Sequence, residues 1–127
     1  CYRAPPFASA RPGPSNGAMD QETTLIELKH AVGAFVKARN WQGFHGAKNL
    51  SMSLAIEAAE LMEHFQWLTG EEAARYMEDA AFKAQAAEEL ADVLIYALSF
   101  ANQHGIDLSD AVRDKLAKNE DRFPAAG

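Results

Sequence analysis

Residues 88–96 read Glu88-Glu89-Leu90-Ala91-Asp92-Val93-Leu94-Ile95-Tyr96, a strongly apolar run that carries Glu89 and Asp92 three residues apart. Residues at that spacing share one face of a helix. The run sits inside a longer stretch, about 82–104, in which Leu90, Val93, Leu94, Ala97, Leu98 and Ala101 form a broad apolar face. His104-Gly105 reads as its end, with the glycine at the left-handed cap position. A second pair, Glu57-Ala-Ala-Glu60, lies 28 residues upstream in another apolar stretch, about 50–68, with Leu54, Ala58, Leu61, Met62 and Phe65 on one side. Asn49 or Ser51 is the expected N-cap of that helix, and Thr69-Gly70 breaks it.

Working outward, helical periodicity extends over most of the chain. A first helix is expected from about Gln21 to Asn40, with Leu25, Leu28, Val32, Phe35 and Val36 on one face. A short helix is expected near 71–78, and a last one starts at Asp107 or Ser109, carries Leu108, Ala111, Val112 and Leu116, and stops before Pro124. No stretch alternates as a strand does. The fold class is therefore all-α, an antiparallel four-helix bundle with short connections. Helices apolar over more than one stripe, in a domain this small, predict burial against further copies of the chain.

The 127 residues suffice for one domain with a modest core, and 48% hydrophobic residues fit a folded chain. A net charge of −6 argues against a non-specific nucleic-acid binder. Cys1 is the sole cysteine, so no internal disulfide forms. No apolar run reaches the roughly 20 residues of a membrane span. Residues 1–18, rich in Pro, Gly, Ser and Ala, lack the apolar segment of a signal peptide. They read as an irregular tail, appended or read through, upstream of a start at Met19, with the domain over 19–127. A cytoplasmic location is the expectation.

The acid pairs decide the chemistry. One row of glutamates on a helix is ordinarily a solvated face. Two pairs on consecutive antiparallel helices face each other, and a divalent cation would offset their repulsion and lost hydration. Oxygen ligands suit Mg²⁺ or Mn²⁺. A ferritin-like di-iron site needs Glu-x-x-His on two helices, and only Glu27-Leu28-Lys29-His30 has that spacing. Lys115, Lys118, Asn119 and Arg122 make one polar stripe, ordinarily a solvated face but beside a metal suited to a polyphosphate. Trp41, Phe44, Trp67 and Tyr96, each by default a core residue, offer a platform for a planar base. There is no Walker A motif, Gly-x-Gly-x-x-Gly or Gly-x-Ser-x-Gly, so metal-assisted hydrolysis of a phosphoanhydride is the coherent reading. The competing one is a non-catalytic helical module that binds nucleotide or metal.

Four segments resemble the MazG-like all-α nucleoside triphosphate pyrophosphohydrolases, and within them the dCTP pyrophosphatase branch. They are Asn40 to His45 with Lys48-Asn49-Leu50, Glu60-Leu-Met-Glu-His-Phe-Gln-Trp67, Glu88 to Tyr96, and Lys115-Leu-Ala-Lys-Asn119 with Arg122-Phe-Pro124. The similarity covers roughly 22–124. It implies hydrolysis of a (d)NTP, dCTP or a modified dCTP, to the monophosphate and pyrophosphate, a house-cleaning activity, with Glu57, Glu60, Glu89 and Asp92 as Mg²⁺ ligands. It also implies Lys115, Lys118 and Arg122 on the phosphates, Asn119 on the nucleotide, and Trp41, His45, Trp67 and Tyr96 around the base. It implies a homotetramer with sites shared between subunits. The first helix departs from the branch: Val32 stands where a histidine is usual, and His30 is displaced by two residues. Other superfamily specificities, dUTPase-like or phosphoribosyl-ATP pyrophosphohydrolase-like, are the enzymatic alternatives.

Overall fold

The computed structural model describes residues 19–126, so the expected tail at 1–18 lies outside the described residues. The order is α1 (Leu25–Ala38), a 3₁₀ turn (Gln42–Phe44), α2 (Ala47–Glu63), α3 (Gly70–Tyr76), α4 (Ala80–His104) and α5 (Leu108–Arg122). Among the described residues there is no strand, in keeping with the all-α expectation.

Capping chemistry sets most of the boundaries. Thr24 accepts from the Glu27 amide at 3.2 Å and starts α1 later than the periodicity alone implied. Thr69 and Glu72 close a capping box on α3. Asp79 accepts from the Phe82 amide and Asp107 from the Asp110 amide, each at 2.9 Å, to begin α4 and α5. Gly105, at φ 63°, ends α4 as expected.

Helix α2 departs from expectation at both ends. It begins after Gly46, whose extended backbone supplies the cap without a side chain. The expected caps are engaged otherwise: Asn49 Nδ2 donates to the Phe44 carbonyl and the Ser51 hydroxyl to the Lys48 carbonyl. It ends at Glu63, and residues 64–67 turn, so Trp67 stands off the helix rather than at its end.

The packing centres on α4, which lies along α2 over its length and against α1. Val36, Leu50 and Tyr96 form the buried centre, with Val32, Phe35, Trp41, Leu54, Ile95 and Phe100 packed around it. Lys29 Nζ donates to the Ile106 carbonyl and Asn102 Nδ2 to the Lys29 carbonyl, tying α1 to the end of α4.

The inner face of α2 is Leu50, Ser53 and Glu57, turned from the expected apolar side, of which Ala58 and Met62 are exposed. Leu25 and Leu28 on α1, and Leu90 and Leu94 on α4, are likewise exposed. Helix α5 buries no residue and meets the rest of the chain only marginally, so one chain packs three long helices and does not close the expected four-helix bundle. The fourth stripe, Val112 and Leu116, faces outward.

The fully buried Leu50 should dominate stability. Leu50→Ala is expected to cost about 2–5 kcal/mol, read as a lowered denaturation midpoint in urea at unchanged slope.

Candidate metal and nucleotide site

Leu50, Ser53, Glu57, Glu60 and His64 follow one another on successive turns of the α2 face toward α4, at steps of three or four. Phe82, Ala86, Glu89, Val93 and Tyr96 do the same on α4. Packing these faces together carries Glu57 and Glu60 to Glu89. One carboxylate oxygen from each of the three lies within 4.8 Å of the others. Glu57 is only 2% exposed, while Glu60 and Glu89 are half-buried. Asp92 falls outside this trio but is near enough for its charge to act on Glu89.

Two carboxylates about 4 Å apart near a protein surface repel by about 4 kcal/mol, far more than a solvated helical pair contributes. The molecule shows the strain at Glu89. Its carboxyl is raised above the usual carboxylate range by burial first, then by a hydrogen bond with Glu60 and the Glu60 charge, with Asp92 adding to these. The His64 imidazole pulls the other way. Its Nε2 lies 3.6 Å from Glu89 Oε1, and its ring packs edge-on against Phe82, with centroids 5.8 Å apart. A spread of 4.8 Å is close to the diameter of an oxygen coordination sphere, about twice 2.1 Å for Mg²⁺. Three converging carboxylates, one almost wholly buried, therefore fit a hard divalent cation.

The other expected residues divide into four groups. His45 and Tyr96 are buried together, ring centroids 6.5 Å apart, at the end of the α2–α4 contact. Burial holds the His45 imidazole below its ordinary pKa. Trp41 packs edge-on against Phe35 and belongs to the core margin. Trp67 is 87% exposed among the described residues. Lys115, Lys118 and Arg122 are exposed on α5 and Asn119 is half-buried there, on a helix that packs no more than marginally against α2 and α4. Val112, Lys115, Leu116 and Asn119 line a shallow groove on α5. The structure thus brings together three of the four expected acids, sets Asp92 beside them, and does not bring the basic stripe into their packing. His64 was missed by the sequence reading, although its spacing of four from Glu60 and seven from Glu57 marks it as sharing their face.

Two pH responses follow, of opposite sign. His45 is neutral in the fold, so its contribution is present above about pH 6.5 and is lost as pH falls through its depressed folded value. His45→Gln should flatten that loss in thermal melts between pH 7.5 and 5.5. Glu89 has a raised pKa, so without divalent ions its contribution is present below about pH 4.5 and is lost as pH rises through the folded value. Glu89→Gln should raise the metal-free Tm at pH 7, with the gain vanishing toward pH 4.5.

Comparison with known proteins gives the family. The MazG-like family profile matches residues 52–126, which span both acid pairs and α5. The chain is 36% identical over 112 residues to dCTP pyrophosphatase 1 of Homo sapiens, covering 88% of this chain and 66% of that protein. It is 35% identical over 107 residues to the Bos taurus dCTP pyrophosphatase 1, covering 84% and 63% respectively. It thus spans slightly under two thirds of the length of those relatives. The crystal structure of a pyrophosphatase from Archaeoglobus fulgidus superposes with a TM-score of 0.74 at 38% identity, over 80% of this chain and 93% of that one. The chain belongs to the MazG-like family.

Proposed function

We propose that this chain is a Mg²⁺-dependent nucleoside triphosphate pyrophosphohydrolase that converts dCTP, or a 5-modified dCTP, to the monophosphate and pyrophosphate, clearing the nucleotide pool of the cytoplasm. The observation that carries the reading is the convergence of Glu57, Glu60 and Glu89 between α2 and α4. The named relatives favour pyrophosphatase chemistry on a cytidine nucleotide.

Glu57, Glu60, Glu89 and Asp92 would hold the cation, Asp92 completing the set from the next turn of α4. When bound, Mg²⁺ screens the phosphate charge and lowers the pKa of a coordinated water. Glu60, less buried than Glu57, orients the attacking water and accepts its proton as the new oxygen–phosphorus bond forms at the α-phosphorus. The bridging oxygen between the α- and β-phosphorus leaves with pyrophosphate. His45 and Tyr96 wall the inner end of the base site, and Trp41 and Trp67 flank it from the loops.

Lys115, Lys118, Asn119 and Arg122 belong to a helix that packs little against its own acids, so we assign them to the triphosphate bound by a neighbouring copy. The exposed apolar residues Leu90, Leu94, Met62, Val112 and Leu116 support a homotetramer formed by residues 19–127. No helix among the described residues is long and apolar enough to cross a membrane.

The test is a panel of dNTPs and NTPs with Mg²⁺ or EDTA, with products separated by ion exchange. The expected result is monophosphate plus pyrophosphate, fastest with dCTP and abolished by EDTA. Diphosphate plus orthophosphate would overturn it. Glu57→Ala and Asp92→Ala should each lower kcat/KM by at least ~10³-fold with helix content intact by circular dichroism.

A further inference from the structure

Phe82 and Glu89 lie seven residues apart on α4, two turns along one face, and His64 at the C-cap of α2 fits between them. The ring stands edge-on to Phe82, with an interplanar angle of 81° and centroids 5.8 Å apart. Phe82 is itself held by Phe65 at 5.5 Å and Tyr76 at 5.2 Å, so the imidazole rests on a packed aromatic wall. Its Nε2 is thereby directed at Glu89 Oε1, at 3.6 Å. Both side chains are about a quarter exposed, so this contact is partly withdrawn from solvent.

A metal-binding carboxylate must present an oxygen while repelled by its neighbours, and a group outside the coordination set that fixes its orientation strengthens the site. We propose that His64 is a positioning residue that holds Glu89 toward Glu57 and Glu60 in the orientation a divalent cation requires. One Glu89 oxygen lies within 4.8 Å of Glu57 and Glu60, and Oε1 lies 3.6 Å from His64 Nε2, so the imidazole sets how this carboxylate is turned. The aromatic wall matters because an imidazole free to rotate would lose this directional advantage. The proposal rests on the metal reading given above, and it adds a residue outside the ligand set.

The test measures Mn²⁺ binding to the nucleotide-free protein by electron paramagnetic resonance, at constant pH. It compares the wild type with His64→Leu, His64→Gln and Phe82→Leu, and records Tm in EDTA for each. Leu keeps apolar contact with Phe82 and removes the N–H, whereas the Gln amide can reproduce the Nε2 donor. His64→Leu is expected to weaken Mn²⁺ about tenfold, His64→Gln to restore binding to within about threefold, and Phe82→Leu to fall between them. Wild-type affinity in His64→Leu, or equal weakening in the Leu and Gln variants, would overturn the positioning role. If His64→Leu does not fold, the Phe82→Leu and His64→Gln affinities decide: an unweakened Phe82→Leu, or a His64→Gln weakened about tenfold, overturns it. A wild type that binds no Mn²⁺ would remove the metal reading itself, and this role with it.

Discussion

Everything in this molecule is arranged around an unfavourable contact: three carboxylates brought within 4.8 Å of one another between two packed helices. The apolar contact of α2 with α4 sets the approach, since the packing that buries Leu50 against Tyr96 also lays Glu57 beside Glu89. A buried Leu contributes about 2–3 kcal/mol, so the hydrophobic face is large enough to hold the acids together against their repulsion. The surroundings then soften the conflict locally. Glu60 and Glu89 share a hydrogen bond, and His64 Nε2 lies 3.6 Å from Glu89 Oε1. Carboxylates already gathered in this way would need little reorganisation to hold a cation.

The sequence made the helices and the acid pairs legible because both depend on short spacings. A step of three places two carboxylates on one face whatever the tertiary context, and Gly105 and Asp107 carry conformational preferences that tertiary packing left intact. The burial pattern was harder to read. Apolar residues do not announce which of two faces will be covered, so Met62, Leu90 and Leu94 looked like core although they face solvent within one chain. Gly46 could start α2 because an N-cap needs extended backbone more than a side chain, and that preference is weak in a sequence reading. The halt at Glu63, which leaves Trp67 in a turn, has no breaker residue to signal it.

Within the site the same distinction holds. Glu57, Glu60 and Glu89 were legible as a set because antiparallel neighbours must face each other. Asp92 was grouped with them on spacing, but one further turn of α4 moves it to the margin of the trio. His64 was overlooked because a lone histidine beside Glu63 reads as surface, and only the position of Phe82 on a distant helix gives it a direction. The aromatic residues split for a physical reason: Tyr96 faces the packed side of α4 and Trp67 sits exposed in a turn. Their identity alone carried no information about that difference.

The two hydrogen bonds that tie Lys29 to Ile106 and Asn102 span 77 and 73 residues. Closing a chain segment of that length costs more entropy than closing the segment between α2 and α4, so the α2–α4 hairpin gathers before α1 docks. The order reverses on opening. Of the three helices that pack together, α1 has a single buried residue, so its amides exchange before those of the acid-bearing hairpin. Such an opening uncovers the Val36 side of Tyr96 without parting the carboxylates, so the aromatic floor of the site breathes on a faster clock than the acids beside it.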